Sequence, residues 1–249
     1  MIDYNLGFIS NENLYDHVKE TVNAYRLEIS MKEFTKSIDP IKLTFDSIIY
    51  NKSMGDVLKE EMKRQIDKSN TNHIGYFHQN IFKYFSGWEV LDKGYDVVNK
   101  ELGIYVEMKN RYNTINHASS HYTYIKMEDT LRTTPNSTCM LVTAMSNSSH
   151  DKIWEKTINK TKKSNSNIRI VSIDKFYELV TGDELAFKKM CEILPIVTSD
   201  IVHDGSFEFR SNNIIKDLED SPESILKLLY INAFGKYNGF RQFNLHEDS

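Results

Sequence analysis

Cysteine, proline and glycine are all scarce in this 249-residue chain, with 2, 4 and 10 copies respectively. Two cysteines, Cys139 and Cys191, cannot build a disulfide framework or a thiolate metal knuckle, which need more sulfur at closer spacing. They fall in segments that read as core strand and core helix, so two buried thiols are expected. So few prolines and glycines leave little room for an interdomain linker, and no repeat of 20 to 50 residues is present. Also missing is any apolar run of about 18 residues, as is a basic segment leading into an apolar stretch near the first residue. The expectation is therefore no membrane span, no signal peptide and a cytoplasmic location.

What is present is enough apolar material, 40% of residues, to fill a substantial core. A net charge of −4 argues against a uniformly cationic nucleic-acid coat, but the average hides a gradient. Residues 105–175 carry 11 basic and 6 acidic side chains, against 13 and 16 before them and 7 and 13 after. An anionic partner would approach that middle segment; a solvated lysine face would look the same.

Apolar spacing predicts helices over 12–27, 55–68 and 73–85, the last closed by Gly87. The period then changes to two. Residues 95–99 and 103–109 read as the arms of a hairpin, with NKELG at 99–103 as the turn. Downstream the pattern predicts a helix at 119–134, a buried strand at 138–145, a basic helix at 151–163, a strand at 167–173, and one or two helices over 174–194 broken at Thr181-Gly182. SFEFRS, at 206–211, reads as a possible strand, and SPESILKLL as a helix capped by Ser221. This alternation implies an α/β fold, a mixed β-sheet flanked by helices with extra helices at both termini. A single domain is expected, with a helical part over 1–70, a core over 71–195 and an extension over 196–249.

Glu-Met-Lys occurs twice, at 61–63 and at 107–109. On the first copy's helix, Glu61 and Lys63 are separated by about 200° and cannot meet at one atom, so a solvated helix face is expected. On the strand, Ile104, Val106 and Met108 share one face while Tyr105, Glu107 and Lys109 share the other. Asp96 opens the opposite arm. Two close carboxylates suit an oxygen-loving cation such as Mg²⁺ or Mn²⁺, and a neighbouring lysine suits orientation of water or stabilisation of phosphate charge. A surface hairpin carrying a cross-strand ion pair is the competing reading.

The stretch GYDVVNKELGIYVEMKN at 94–110 resembles the active-site hairpin of the PD-(D/E)XK nucleases, with Asp96, Glu107 and Lys109 matching the motif and Tyr95 standing where proline is usual. KNRYNT at 109–114 and FYELVTGD at 176–183 extend the likeness, over roughly 73–195, to type II restriction endonucleases, especially the group that cuts at GGNCC. The resemblance implies a restriction-endonuclease-like core and Mg²⁺-dependent hydrolysis of phosphodiesters in both strands of duplex DNA, with Mn²⁺ able to substitute. Catalysis falls to Asp96, Glu107 and Lys109, and metal binding to Asp96 and Glu107. Gln79 occupies the place of an auxiliary acid. A symmetric homodimer would bring one active site to each strand.

Arg111, Asn113, Asn116, Ser119, Ser120 and Lys126 would then lie close enough to contact DNA, through guanine or adenine edges or through phosphate. An asparagine-rich loop that caps itself is the alternative for any one of them. Lys160, Lys162 and Lys163 are further candidates for phosphate contact. A repair or structure-specific nuclease, or a DNA-binding protein that has lost its chemistry, would share this core.

Overall fold

The computed structural model describes residues 3–111, 117–204 and 222–234. Contacts divide the chain into two compact units, residues 1–23 with 73–207, and residues 24–72 with 208–249.

The first unit is built on a mixed sheet of six strands in the order β1-β2-β3-β4-β8-β5: β1 (Glu89–Val90), β2 (Val97–Asn99), β3 (Ile104–Arg111), β4 (Thr138–Met145), β5 (Asp151–Ile153) and β8 (Ile168–Ser172). Strands β1 to β3 are antiparallel, β3, β4 and β8 run parallel, and β5 returns antiparallel on the edge. The alternation in the sequence reappears as two buried faces. Val97, Ile104, Val106, Met108, Met140, Val142 and Val171 share a core with aromatic residues including Phe82, Trp88, Phe176 and Tyr177. Val98, Cys139, Leu141, Ile168 and Ile170 share another with Tyr95, Tyr124, Met127 and Trp154. Helices α1 (Asn11–Ala24), α6 (Ile173–Thr181) and α7 (Ala186–His203) contribute to the first core, and α5 (His117–Thr133) to the second. Helix α5 is the crossover between parallel β3 and β4, the connection such a pair requires.

The β2–β3 turn ends on Gly103 with φ +65°, where a side chain is strained and a Cβ would lie 3.4 Å from Ser137 Oγ. The break expected near Thr181 also forms: Gly182 takes φ +75° and its N–H donates to the Glu178 carbonyl at 2.8 Å.

The second unit is helical: α2 (Met31–Lys36), α3 (Pro40–Ile49) and α8 (Pro222–Phe234), with the first part of α4 (Met54–Asn80). Its core joins Phe34, Leu43, Leu58 and Met62 to Leu226 and Leu229. Ser30 and Glu33 close a capping box on α2, and Asp39 caps α3 ahead of Pro40.

Several expectations are corrected. Helices foreseen at 55–68 and 73–85 form one element, α4, continued by a 3₁₀ turn over Ile81–Tyr84. In the polar run between them, Asn70 ties the helix to a neighbouring segment, accepting from the Arg26 N–H at 2.8 Å and donating to the Arg26 carbonyl at 3.0 Å. The basic helix foreseen at 151–163 is instead β5 followed by a separate hairpin, β6 (Lys156–Ile158) and β7 (Thr161–Lys163). Asn159 and Lys160 both take positive φ in its two-residue turn, and Trp154 and Ile158 are buried. Glu61 is buried, not solvated. It accepts from Arg64 Nε at 2.6 Å and Gln65 Nε2 at 3.1 Å, while Lys63 is exposed. Cys191 is exposed on α7 rather than buried. The stretch 206–211 and Ser221 lie outside the described residues.

Candidate active site

The site starts from the pleat of β3. With Val106 and Met108 turned into one core, Glu107 and Lys109 project from the other face at the carboxyl-terminal half of the strand. Asp96 lies just ahead of β2, where its N–H donates to the Val106 carbonyl at 2.9 Å. Its own carboxylate accepts from the Met108 N–H at 2.6 Å through Oδ2. The three motif residues are thus brought together, Asp96 by the backbone of the strand that carries the other two.

Glu107 is the focus. Lys109 Nζ donates to Oε1 at 2.7 Å and Lys126 Nζ, from α5, to Oε2 at 2.8 Å. Its side chain is 13% exposed, against 35% for Lys109 and 22% for Lys126. Burial pushes the two carboxylates the same way, but they end apart. At Asp96 burial dominates, only partly offset by the Met108 N–H, and with Glu107 close by its carboxyl is raised above the ordinary range. At Glu107 burial is outweighed by the two lysine ammoniums, and the carboxyl is lowered. The pair therefore differs in how readily each member sheds its proton.

The donor set is one that hard cations take: carboxylate oxygens without sulfur or imidazole. Asp96 Oδ1 has no hydrogen bond among the described residues, and Glu107 presents two oxygens now held by ammonium groups. A group of three His, Cys, Asp or Glu side chains is not found among the described residues, so protein carboxylates alone would supply only part of a cation's shell.

The other sequence candidates divide. Arg111 ends β3 opposite Met145, with its side chain outside the described residues, as are Asn113 and Asn116 entirely. Ser119 is exposed in the first turn of α5. Ser120 is buried and accepts from Lys156 Nζ, so its hydroxyl is committed inside the protein. Lys126, expected among the phosphate contacts, donates to the Glu107 carboxylate. Gln79 is half-buried near the end of α4. Lys162 and Lys163 form ion pairs with Glu155 and Glu128. Sequence reasoning missed the Lys126–Glu107 pair because the partners are 19 residues apart and only the β3–α5 crossover brings them together.

A separate cleft of about 1190 Å³ opens beside the carboxyl end of β4 and the edge strand β5, lined by Thr143, Ser146, His150, Trp154 and Arg169. None of the carboxylate–lysine cluster lines it, and Arg169 Nε is engaged by Asp151 at 2.6 Å.

Comparison with known proteins gives a match to the Eco47II restriction endonuclease family over residues 6–203. The chain is 32% identical to the type II restriction enzyme Sau96I of Staphylococcus aureus, over 78% of this chain and 80% of that protein. It is 28% identical to the type II restriction enzyme Eco47II of Escherichia coli, over 76% of this chain and 85% of that protein.

Proposed function

Since the chain belongs to the Eco47II restriction endonuclease family and is a sequence-specific type II restriction endonuclease, we propose that its DNA hydrolysis is carried out by Asp96, Glu107 and Lys109. The observation that carries this assignment is the placement of Lys109 Nζ 2.7 Å from Glu107 on the same strand face, with Asp96 tied to the intervening Met108.

Asp96 and Glu107 would hold a divalent ion, Mg²⁺ or in its place Mn²⁺. Such an ion would lend Lewis acidity to the phosphate and make water a stronger acid. The protein's own part is positional. The Met108 N–H holds Asp96 Oδ2 and leaves Oδ1 open, while Lys109 presents an ammonium where negative charge grows on the phosphoryl oxygens during in-line attack. Water gives up a proton as it adds to phosphorus, the bond to the 3′ oxygen breaks with that oxygen taking up a proton from solvent, and the products are a 5′-phosphate and a 3′-hydroxyl. Gln79 would act as an auxiliary acceptor.

For DNA contact we assign Arg111, Asn113, Asn116 and Ser119, and withdraw Ser120, whose hydroxyl is engaged by Lys156. Exposed Ser119 stands in the first turn of α5, and the amino end of a helix favours phosphate. The resemblance to enzymes cutting at GGNCC supports that sequence as the target, and a homodimer would serve its two strands.

The test is digestion of a long unmethylated duplex with Mg²⁺ by the natural chain, Lys109→Ala and Lys63→Ala. Discrete fragments are expected from the natural chain and from Lys63→Ala, with cleavage by Lys109→Ala slower by a factor of about 10² or more. End mapping then reads the site. Equal rates for all three would overturn the role of Lys109, and ends at unrelated sequences would overturn GGNCC.

A further inference from the structure

Lys126 is placed unlike a lysine that waits for DNA. Its ammonium donates to the Gly94 carbonyl at 2.6 Å and to Glu107 Oε2 at 2.8 Å, and it lies 4.1 Å from the centroid of the Tyr95 ring. A carbonyl, a carboxylate and an aromatic face together make a seat for a cation. The seat is itself locked. The buried Tyr95 hydroxyl lies 2.8 Å from Thr130 Oγ1, and the Thr130 hydroxyl donates at 2.9 Å to the backbone carbonyl of Lys126. One turn of α5 therefore fixes the ring on which the preceding turn rests its ammonium. Lys162, by contrast, leaves 65% of its side chain exposed, as a phosphate-seeking lysine can, whereas Lys126 leaves 22%.

We propose that Lys126 is a positioning residue for Glu107: seated on Tyr95 and Gly94, it fixes the Glu107 carboxylate in the DNA-free enzyme and competes with a divalent cation for that carboxylate. The inference rests on Asp96 and Glu107 being the cation-holding pair. With both carboxylates ionised, Lys109 and Lys126 balance their charge, so an incoming ion meets a neutral cluster in place of one bearing a net negative charge. The seat also limits how Glu107 can turn, because both of its oxygens are held from different elements, β3 and α5. Held in this way, the site favours a cation once the phosphate of DNA adds negative charge, and cleavage is coupled to substrate arrival.

The experiment is calorimetric titration of Mn²⁺ into the DNA-free full chain, for the natural protein, Lys126→Met, Lys126→Arg and Asp96→Asn. Methionine keeps the length and helix preference of lysine without its charge. Mn²⁺ affinity should rise at least about tenfold in Lys126→Met, from loss of one unit charge a few ångströms away, and stay near the natural value in Lys126→Arg. Metal-free affinity for a short duplex, measured across a salt series, should keep its log–log slope. Unchanged or weaker Mn²⁺ binding in Lys126→Met, with the slope reduced by about one, would make Lys126 a phosphate contact and overturn the proposal. Binding undetectable in both the natural chain and Lys126→Met would also overturn it, since removing a competitor would have gained nothing. Mn²⁺ binding that survives Asp96→Asn would instead sink the carboxylate pair on which the inference rests. Lys126→Met melting with the natural cooperativity guards against misfolding of that variant.

Discussion

Asp96 and Glu107 illustrate how one small region sets two carboxylates against each other. Burial and the nearby Glu107 charge raise Asp96, so its ionised form is penalised in the folded chain. That penalty is absent below the ordinary value of 3.8 and fully felt once pH passes the raised folded value. Asp96→Asn, which keeps an acceptor for the Met108 N–H, should therefore stabilise the protein near neutral pH while abolishing cleavage. Thermal melts at neutral pH and below pH 3.8 check it: a gain of equal size at both would refute the assignment to ionisation. Glu107 runs the other way. Its lysine contacts stabilise the fold in full above the ordinary value of 4.5 and progressively less as pH falls toward the lowered folded value. Glu107→Gln should accordingly destabilise at neutral pH and lose that effect in acid, as denaturant midpoints would show. Tyr95, standing where the resembled motif has proline, supplies the aromatic face under Lys126 that a pyrrolidine ring could not.

At the scale of elements, the turns decide what the strands can present. Gly103 turns with positive φ, and its carbonyl accepts from the Thr138 N–H at 2.8 Å, which ties the start of β3 to the start of β4. Gly103→Ala should cost about 1 kcal/mol, read as a lower melting temperature, because alanine is strained at that positive φ. The β6–β7 hairpin offers the converse. Lys160 holds φ +64° in a turn that prefers glycine at that position, so Lys160→Gly should stabilise by roughly 0.5–1 kcal/mol. A fall in melting temperature would contradict that reading of the turn. This hairpin was hidden in the sequence because Asn-Lys is a weaker turn signal than Asn-Gly and because its lysines fit a basic helix as well as they fit two short strands.

On the scale of the molecule, each compact unit has its own core, and substitutions should report that separation. Phe34 is wholly buried in the helical unit, and Phe34→Ala should cost about 3–5 kcal/mol there. Hydrogen exchange should show the loss of protection in α2, α3 and the first part of α4; equal loss throughout β3, β4 and β8 would mean the units do not open independently. The units divide at residues 23, 72 and 207. Residues 1–23 join the sheet-bearing unit because Tyr4, Leu6, Leu14 and Val18 are buried with its core, a contact that distance along the chain conceals.

The sequence by itself determined what periodicity and punctuation encode: the β2–β3 hairpin, the face shared by Glu107 and Lys109, the crossover helix, the buried β4 and the glycine stop at Gly182. These depend on neighbours within a few residues, where the two-residue pleat and the helical turn act directly. It also carried the likeness to restriction endonucleases, because the hairpin and the runs after it remain recognisable as strings. Only the tertiary structure decided which lysine meets Glu107 from outside the hairpin, that Ser120 is spent on Lys156, that Glu61 is buried with Arg64 and Gln65, and that Asn70 pairs with the Arg26 backbone. Most of these pairings join side chains from separate elements or distant turns, and Glu61 was sealed by packing around its helix, so their geometry is set by how β3, α5 and the helices fold together. Local sequence fixes which way a side chain points; the fold fixes what it finds there.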